Sequence, residues 1–404
     1  MREKRLILIL TSGSPATNPR MVKEANELVN RGFQVHVLYG FIVDWADELD
    51  FAIIKAAGWT AERVGGHPVH DHLPWILTRI VQRVAQSVRH RGFFSFCLSR
   101  LSLPLYLRGR KMKPRAIIAH NLGALPAACR IARKNNAPLF FDAEDLHSEE
   151  SMSKASNELA RNAEAKFLPH CTAISAASPL IGEAYAQRFP ELSIFTVNNC
   201  FSIKDQVPLT PILDNRLRFA WFSQTIGKDR GLIEFLTAAS QIQHPIPLHL
   251  TLVGACSSSF HSQLQQIIQF CSHIELVVKP PMSEKEIMKL LKETHVGLAL
   301  ENSQPLNRDL CLTNKVFSYL LNGCQILYSE TSGQVKFLAD HSMTGRLVNL
   351  HDSNSIQDGI LWFLQNFDEL NQLRLKNWQL ANEKLNFEYD AANWLKCIES
   401  RLTP

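Results

Sequence analysis

The 404-residue sequence predicts an α/β protein built from two parallel-sheet domains. Short apolar runs, each long enough for one buried strand, alternate with segments of helical periodicity through both halves of the chain. A hydrophobic content of 46% with 20% charged residues is that of a globular protein, and the length supplies material for more than one core. A polar, proline-bearing stretch, 206–216, reads as a linker. The expected division is therefore 1–205, the linker, 217–385, and a terminal helical segment 386–404.

The first half opens with a strand, Arg5 to Leu10, whose apolar part is too short for a signal peptide. Thr11 to Thr17 is a small-residue loop. Asn18 is a helix cap with Pro19 in the first turn, and Met21, Ala25, Leu28 and Val29 form an apolar face that Gly32 closes. Phe33 to Leu38 is the next strand. This order is the opening of a Rossmann-like domain, yet no G-x-G-x-x-G occurs, so the nicotinamide and flavin fingerprint is absent. Residues 66–72, GHPVHDH, hold three His and one Asp. Their spacing matches no metal motif and Pro68 marks a loop, so no metal is expected.

From His72 to Phe141 there is no Asp or Glu but there are thirteen Lys and Arg, leaving −8 on the rest of a chain whose net charge is +5. Such a block points to an anionic partner. Trp75, Leu77, Ile80 and Val84 interleave with Arg79, Arg83, Arg89 and Arg91, a pattern that fits a surface lying on an anionic bilayer or a helix pair whose arginines reach water. No nucleic-acid-binding motif accompanies the block, so nucleic acid is not an expected partner. No apolar run approaches ~18 residues, so no membrane span is expected. Nine scattered Cys without a C-x-x-C pair read as reduced thiols in a cytoplasm.

Ala116 to His120 and Pro138 to Phe141 are further strands with a helix between them. Asp142, Glu144 and Asp145 follow the second, and Glu149 and Glu150 are placed at a helix start. A helix from Glu158, the strand TAIS, another helix and Phe195 to Val197 complete the first domain.

The second half begins with the strand Leu217 to Phe222. Its following loop carries Gly227, Gly231, Lys228 and Arg230 beside a helix start, a combination that suits a diphosphate. Strands at Leu248 to Gly254 and Ile274 to Val278 follow, with a Ser283–Glu286 capping box. Val296 to Leu300 is a buried strand, Glu301 to Leu312 a polar loop, and Thr313 precedes a helix marked by Val316, Phe317, Leu320 and Leu321. Asn322 and Gly323 stop it before the strand Cys324 to Tyr328. That helix aims free N–H groups and a positive dipole end at the loop, and Lys315 adds a full charge.

Six stretches, in chain order, carry a resemblance to GT-B glycosyltransferases of the family 4 type. NPRMVKEANELVNRG resembles that family's D-P-R-V-x-K-E-A-x-x-L-x-x-x-G, AIIAHN its strand ending in His, FFDAEDL its Y-D-x-H-E-L, and TAIS with SPL its V-S-x-x-x-A-x-x-L unit. GKDRGL resembles its basic pyrophosphate loop, and Glu301 with NKVFSYLLNG its E…P-N-K-x-x-E-Y-x-x-x-G. The family's second Glu, which binds ribose, falls on Ser318, whose hydroxyl is a weaker ribose partner than a carboxylate.

The resemblance implies two Rossmann-like domains facing each other across a cleft, with 386–404 as a terminal helix crossing back to the first. It implies a retaining, metal-independent hexosyltransferase-type enzyme that moves a sugar from a UDP- or GDP-linked donor to a saccharide or lipid-linked acceptor in surface-glycan synthesis. No cofactor beyond the substrate is implied, and the expected place is the cytoplasm or the inner face of the membrane. Carried over residue by residue, His120 and Glu301 are catalytic. Gly13, Lys228, Arg230, Asn314, Lys315 and Ser318 bind the donor, and Arg20, Asp142 and Glu144 bind the acceptor. A sugar-nucleotide epimerase of the same fold and a non-catalytic binding protein are the alternatives.

Overall fold

A computed structural model describes residues 5–88 and 94–402, so Arg89 and Arg91 lie outside the described residues. The chain divides into two compact units. One contains the residues up to Val197 together with those from Ala391, and the other is Asn198–Asp390.

The first unit holds seven parallel strands in the order β3-β2-β1-β4-β5-β6-β7. They are β1 (Leu6–Thr11), β2 (Gln34–Gly40), β3 (Thr60–Val64), β4 (Ala116–His120), β5 (Leu139–Ala143), β6 (Ala173–Ala176) and β7 (Ser193–Thr196). β4 and β5 are buried along their whole length, as expected of central strands covered on both faces by helices. The helix Pro19–Asn30 begins as the sequence predicts, with the Asn18 side chain accepting the Met21 N–H at 3.0 Å and Pro19 in its first turn. Glu149 does not start a helix. It ends a short 3-10 turn, and the next helix, Lys154–Phe167, is capped by Ser153.

The second unit holds six parallel strands in the order β10-β9-β8-β11-β12-β13. These are β8 (Leu217–Ile226), β9 (Leu248–Cys256), β10 (Ile274–Lys279), β11 (Val296–Ala299), β12 (Gln325–Ser329) and β13 (Gly345–Val348). Side chains alternate between two faces. Phe219, Leu250, Leu298 and Leu327 pack under the helices Leu232–Ser240 and Ser353–Gln365. Ala220, Ala299, Ile326 and Tyr328 pack under the helix Asn314–Leu321.

The order of strands decides where each unit is open. Connections leave β1 and β4 in opposite directions across the first sheet, and β8 and β11 do so across the second. Crevices form outside the carboxyl ends at such reversals.

Three boundaries differ from expectation. Residues 206–216 are not a free linker. Trp378 donates through Nε1 to Val207 O at 2.8 Å, Arg374 to Thr210 O at 3.1 Å, and Asn371 bonds both polar backbone groups of Ile212, so the segment is laced to the helix Leu370–Glu383 of its own unit. The stretch 301–312 contains a short helix, Leu306–Leu310, too brief to show periodicity. The terminal segment is two helices, Phe387–Asp390 and Ala392–Ser400, and the unit boundary falls between them.

Candidate functional site

In the second unit the reversal at β8 and β11 brings two loops together. After β8 the chain turns through Asp229 and Gly231, both at positive φ, and places Arg230 over the end of β11. After β11, Glu301 is fixed at its backbone by Ser329: its N–H donates to Ser329 Oγ at 2.8 Å, and that hydroxyl donates to Glu301 O at 2.7 Å. The Glu301 side chain is buried between two cations. Lys315 Nζ is 2.8 Å from Oε1 and Arg230 Nη1 is 3.2 Å from Oε2. Burial works to raise the Glu301 carboxyl, but the charges of Lys315 and Arg230 outweigh it and hold the group below the usual carboxylate range. Lys315 Nζ also lies 5.5 Å from the centre of the Trp221 ring.

The helix Asn314–Leu321 opens beside this triad. Its N-cap, Thr313, makes no side-chain cap bond, and its hydroxyl is buried without a hydrogen-bond partner. The mouth is thus an uncapped set of N–H groups next to an ammonium. Two conformational demands set the helix in place. Gly323, at φ +73°, ends it, and Gly297 lets the Tyr319 ring lie flat on β11, with the hydroxyl within reach of Leu298 O at 3.1 Å.

Arg230, Glu301 and Lys315 are therefore brought together. Lys228 is exposed on the same loop and does not join them on Glu301, and Asn314 is exposed at the helix start. Ser318 is 1% exposed and its hydroxyl donates to Asn314 O at 3.1 Å, so the ribose contact expected of it is not presented at the surface. Trp221, Thr313 and Ser329 were not named as site residues from sequence. Trp221 and Ser329 sit in apolar strands that show no polar pattern.

In the first unit the reversal at β1 and β4 gathers a different set. Arg20 grips Asp142 with two parallel bonds, Nε to Oδ2 at 2.9 Å and Nη2 to Oδ1 at 2.6 Å, and donates from Nη1 to Val197 O at 2.6 Å. His120 Nε2 lies 2.7 Å from Glu24 Oε2, and Nδ1 lies 3.2 Å from Asp142 Oδ2. Trp394 Nε1 donates to the other Glu24 oxygen, and Ser175 Oγ to Asp142 Oδ1 at 2.5 Å. Burial opposes charge on His120, but the hydrogen bonds and charges of Asp142 and Glu24 prevail and raise it to about 10. Burial likewise opposes ionisation of Asp142, yet Arg20 and His120 hold it far below the ordinary range.

The expected roles of these residues change accordingly. Arg20, His120 and Asp142 are all at most 5% exposed and bond one another, so they form an ion quartet with Glu24 rather than a set of free acceptor or sugar contacts. The residues that open outward are at its edge. Glu144 is partly exposed and accepts from Asn121 Nδ2 at 2.9 Å, while Thr11 Oγ1 donates to Asn121 Oδ1 at 2.9 Å and accepts the Gly13 N–H at 3.0 Å. Asn121 holds φ +65°, which aims its amide across β4. Burial and the nearby Asp142 charge push Glu144 up to about 7.

His120, Asp142 and Glu144 offer ligand atoms within 4.8 Å of one another. Arg20 donates to both Asp142 oxygens and Ser175 to one of them, and both His120 ring nitrogens face carboxylates, so the set is engaged internally as an ion cluster. In the loop 66–72, His67 Nδ1 accepts the Val69 and His70 N–H groups, His67 Nε2 lies 3.2 Å from Asp47 Oδ2, and His72 Nδ1 bonds Pro68 O.

Solved structures match this architecture over nearly the whole chain. Anabaena HepE in complex with UDP and glucose aligns at 16% identity and TM-score 0.68, covering 98% of this chain and 100% of that one. Sucrose-phosphate synthase from Thermosynechococcus elongatus aligns at 14% and 0.72, covering 98% and 99%. TarM aligns at 10% and 0.68, covering 98% and 99%. The chain has the GT-B fold. Its two sheets are the two Rossmann-like domains of GT-B proteins, and both residue sets described above lie at the carboxyl ends of GT-B strands. No protein-family model and no curated protein sequence matches the chain.

Proposed function

We propose that the chain is a glycosyltransferase that takes a sugar from a nucleotide-sugar donor bound by the second unit. The observation that carries this reading is the Arg230–Glu301–Lys315 triad beside an uncapped helix mouth. Without donor, the two cations are held by Glu301. A diphosphate entering the mouth takes over their charge, and Glu301 is released to accept hydrogen bonds from sugar hydroxyls. Cations and N–H groups fixed in place stabilise the charge that develops on the leaving diphosphate. HepE, of the same fold, is known in complex with UDP and with UDP-glucose.

The finer reading is a retaining, metal-independent hexosyl transfer in surface-glycan synthesis. The donor is UDP- or GDP-linked and the acceptor is a saccharide or a lipid-linked saccharide. Charge handling by side chains supports metal independence. Glu144 and Asn121 are the acceptor-side contacts, and Gly13 is kept as a donor contact. A cytoplasmic protein resting on an anionic membrane surface is supported by the helix His72–Val88. It exposes Leu73, Leu77, Ile80 and Val84 along one side, with Arg79 and Arg83 exposed among them. No described helix is long and apolar enough to cross a membrane.

The deciding experiment is thermal stabilisation by UDP- and GDP-sugars, followed by transfer and donor-hydrolysis assays. A ligand at ~100 times its dissociation constant adds about 2.7 kcal/mol. Stabilisation by one donor, with turnover that needs an acceptor, supports the reading. Conversion without acceptor assigns an epimerase, and binding without turnover a binding protein.

A further inference from the structure

The basic block of the sequence folds into a place unrelated to either site above. At the amino-terminal end of the first sheet, before β4 and β5 begin, a cavity of about 440 Å³ is lined by Arg130, Arg133, Lys166 and His170 over an apolar floor of Phe167 and Leu139. No Asp or Glu lines it. A second hollow beside it, past the end of the helix Leu125–Asn135, is lined by Arg110, Lys111, Lys113, Arg115 and Lys134, again without an acid. The eight Lys and Arg side chains and His170 are all exposed. Elsewhere, arginines with an acid in reach pair with it, as exposed Arg161 does with Glu149 and half-buried Arg216 with Asp214 and Glu275. Among the described residues none of these nine makes an ion pair. Lys134 bonds Arg110 O, Arg130 and Arg110 rest on the Tyr106 ring, and Lys166 rests on Phe94 and Phe167.

A structural explanation accounts for only part of this. Arg133 and Lys134 sit in the last turn of a helix, where cations answer roughly half a negative charge. That helix end is already closed by Asn136 at φ +48° and by the Ala137 N–H donating to Ala132 O at 3.1 Å. Lys166 likewise sits in the last turn of the helix Lys154–Phe167. Arg130, Lys113 and Arg115 have no such use, and holding the cluster together costs mutual repulsion that an anion would relieve.

We infer that Arg130, Arg133, Lys166 and His170 form an anion site for a ligand carrying clustered phosphates, separate from the donor diphosphate. A concave, cation-lined hollow with an aromatic wall fits a compact multivalent phosphate, which guanidinium groups bind bidentately. The site lies at the opposite end of the strands from Gly13, His120 and Glu144, a strand length of roughly 15 Å away. It does not depend on the reading of the second unit.

The ligand is a soluble oligophosphate or a phospholipid headgroup, and two arms tell them apart. In the first, inorganic pyrophosphate is titrated calorimetrically into the full chain, into Arg130→Ala/Arg133→Ala and into Lys315→Ala. In the second, sedimentation is measured with phosphatidylglycerol and with phosphatidylcholine vesicles. The inference expects a loss of affinity of at least about tenfold in the double variant, in the pyrophosphate arm or in the phosphatidylglycerol arm, with the effect shrinking as salt rises. Both arginines are exposed, so folding of the variant is checked by an unchanged melting temperature. Arg130→Lys/Arg133→Lys is a second variant expected to restore binding in part. If neither arm responds to the double variant, or if Lys315→Ala alone abolishes all phosphate binding, the inference is overturned.

Discussion

Lys315 Nζ and Glu301 Oε1 lie 2.8 Å apart, both nearly buried, although the residues belong to different elements. The pair couples a strand end to a helix mouth. Lys315→Ala is expected to weaken donor binding about 10- to 150-fold, the worth of one charge-assisted hydrogen bond of about 1.5–3 kcal/mol. Isothermal titration with nucleoside diphosphates checks this. Glu301→Gln is expected to keep nucleoside diphosphate affinity and to lose transfer, since the amide leaves the cations free but presents a poorer acceptor to sugar hydroxyls.

The quartet of Arg20, Glu24, His120 and Asp142 is expected to act on stability first. His120→Ala leaves two buried carboxylates short of a partner and is expected to cost about 3–5 kcal/mol in urea unfolding. A catalytic histidine would show the reverse pattern, with lost turnover at unchanged stability.

Glu144 gives a pH signature. Its folded pKa of about 7 stands above its ordinary 4.5, so the fold prefers the protonated form. Its contribution is fully present below about pH 4.5 and is lost as pH rises through 7. Glu144→Gln is expected to flatten the stability profile across that window. His120 acts in the same sense at higher pH: its contribution is whole below 6.5 and is lost as pH rises through about 10.

Gly297→Ala tests the seat of the donor helix. An added Cβ would stand 2.2 Å from Tyr319 Cγ, inside a ring that is itself buried. The expected cost is about 1–3 kcal/mol or more, read as a lower melting temperature, with donor affinity falling as the helix mouth shifts.

The second-unit site was legible because its chemistry is local. A glycine-flanked basic loop and a helix start with a lysine in its first turn announce themselves within a few residues, and a parallel sheet dictates that both face the same end. The role given to Ser318 came from the resemblance alone, and the helix here is buried on nearly every side from Lys315 to Leu321, a closure that a motif position does not reveal. The quartet was illegible for another reason. Glu24 and His120 are 96 residues apart, Arg20 and Asp142 are 122, and nothing near any one of them signals its partner. The strand Thr60–Val64 escaped because TAERV is a half-polar edge strand, and Gly345–Val348 because four residues are too few to show alternation.

Trp394 sits at the edge of Phe140, 5.6 Å away, and donates to Glu24. Translation therefore delivers a core piece of the first unit only after all of the second has been made, roughly 10–40 s later at ~5–20 residues per second. Until then the nascent first unit carries an uncovered aromatic bed and a carboxylate awaiting its indole. A gene fragment ending at Val197 would make that condition permanent, so splitting the protein into halves for expression calls for residues 391–402 to be grafted back onto the first.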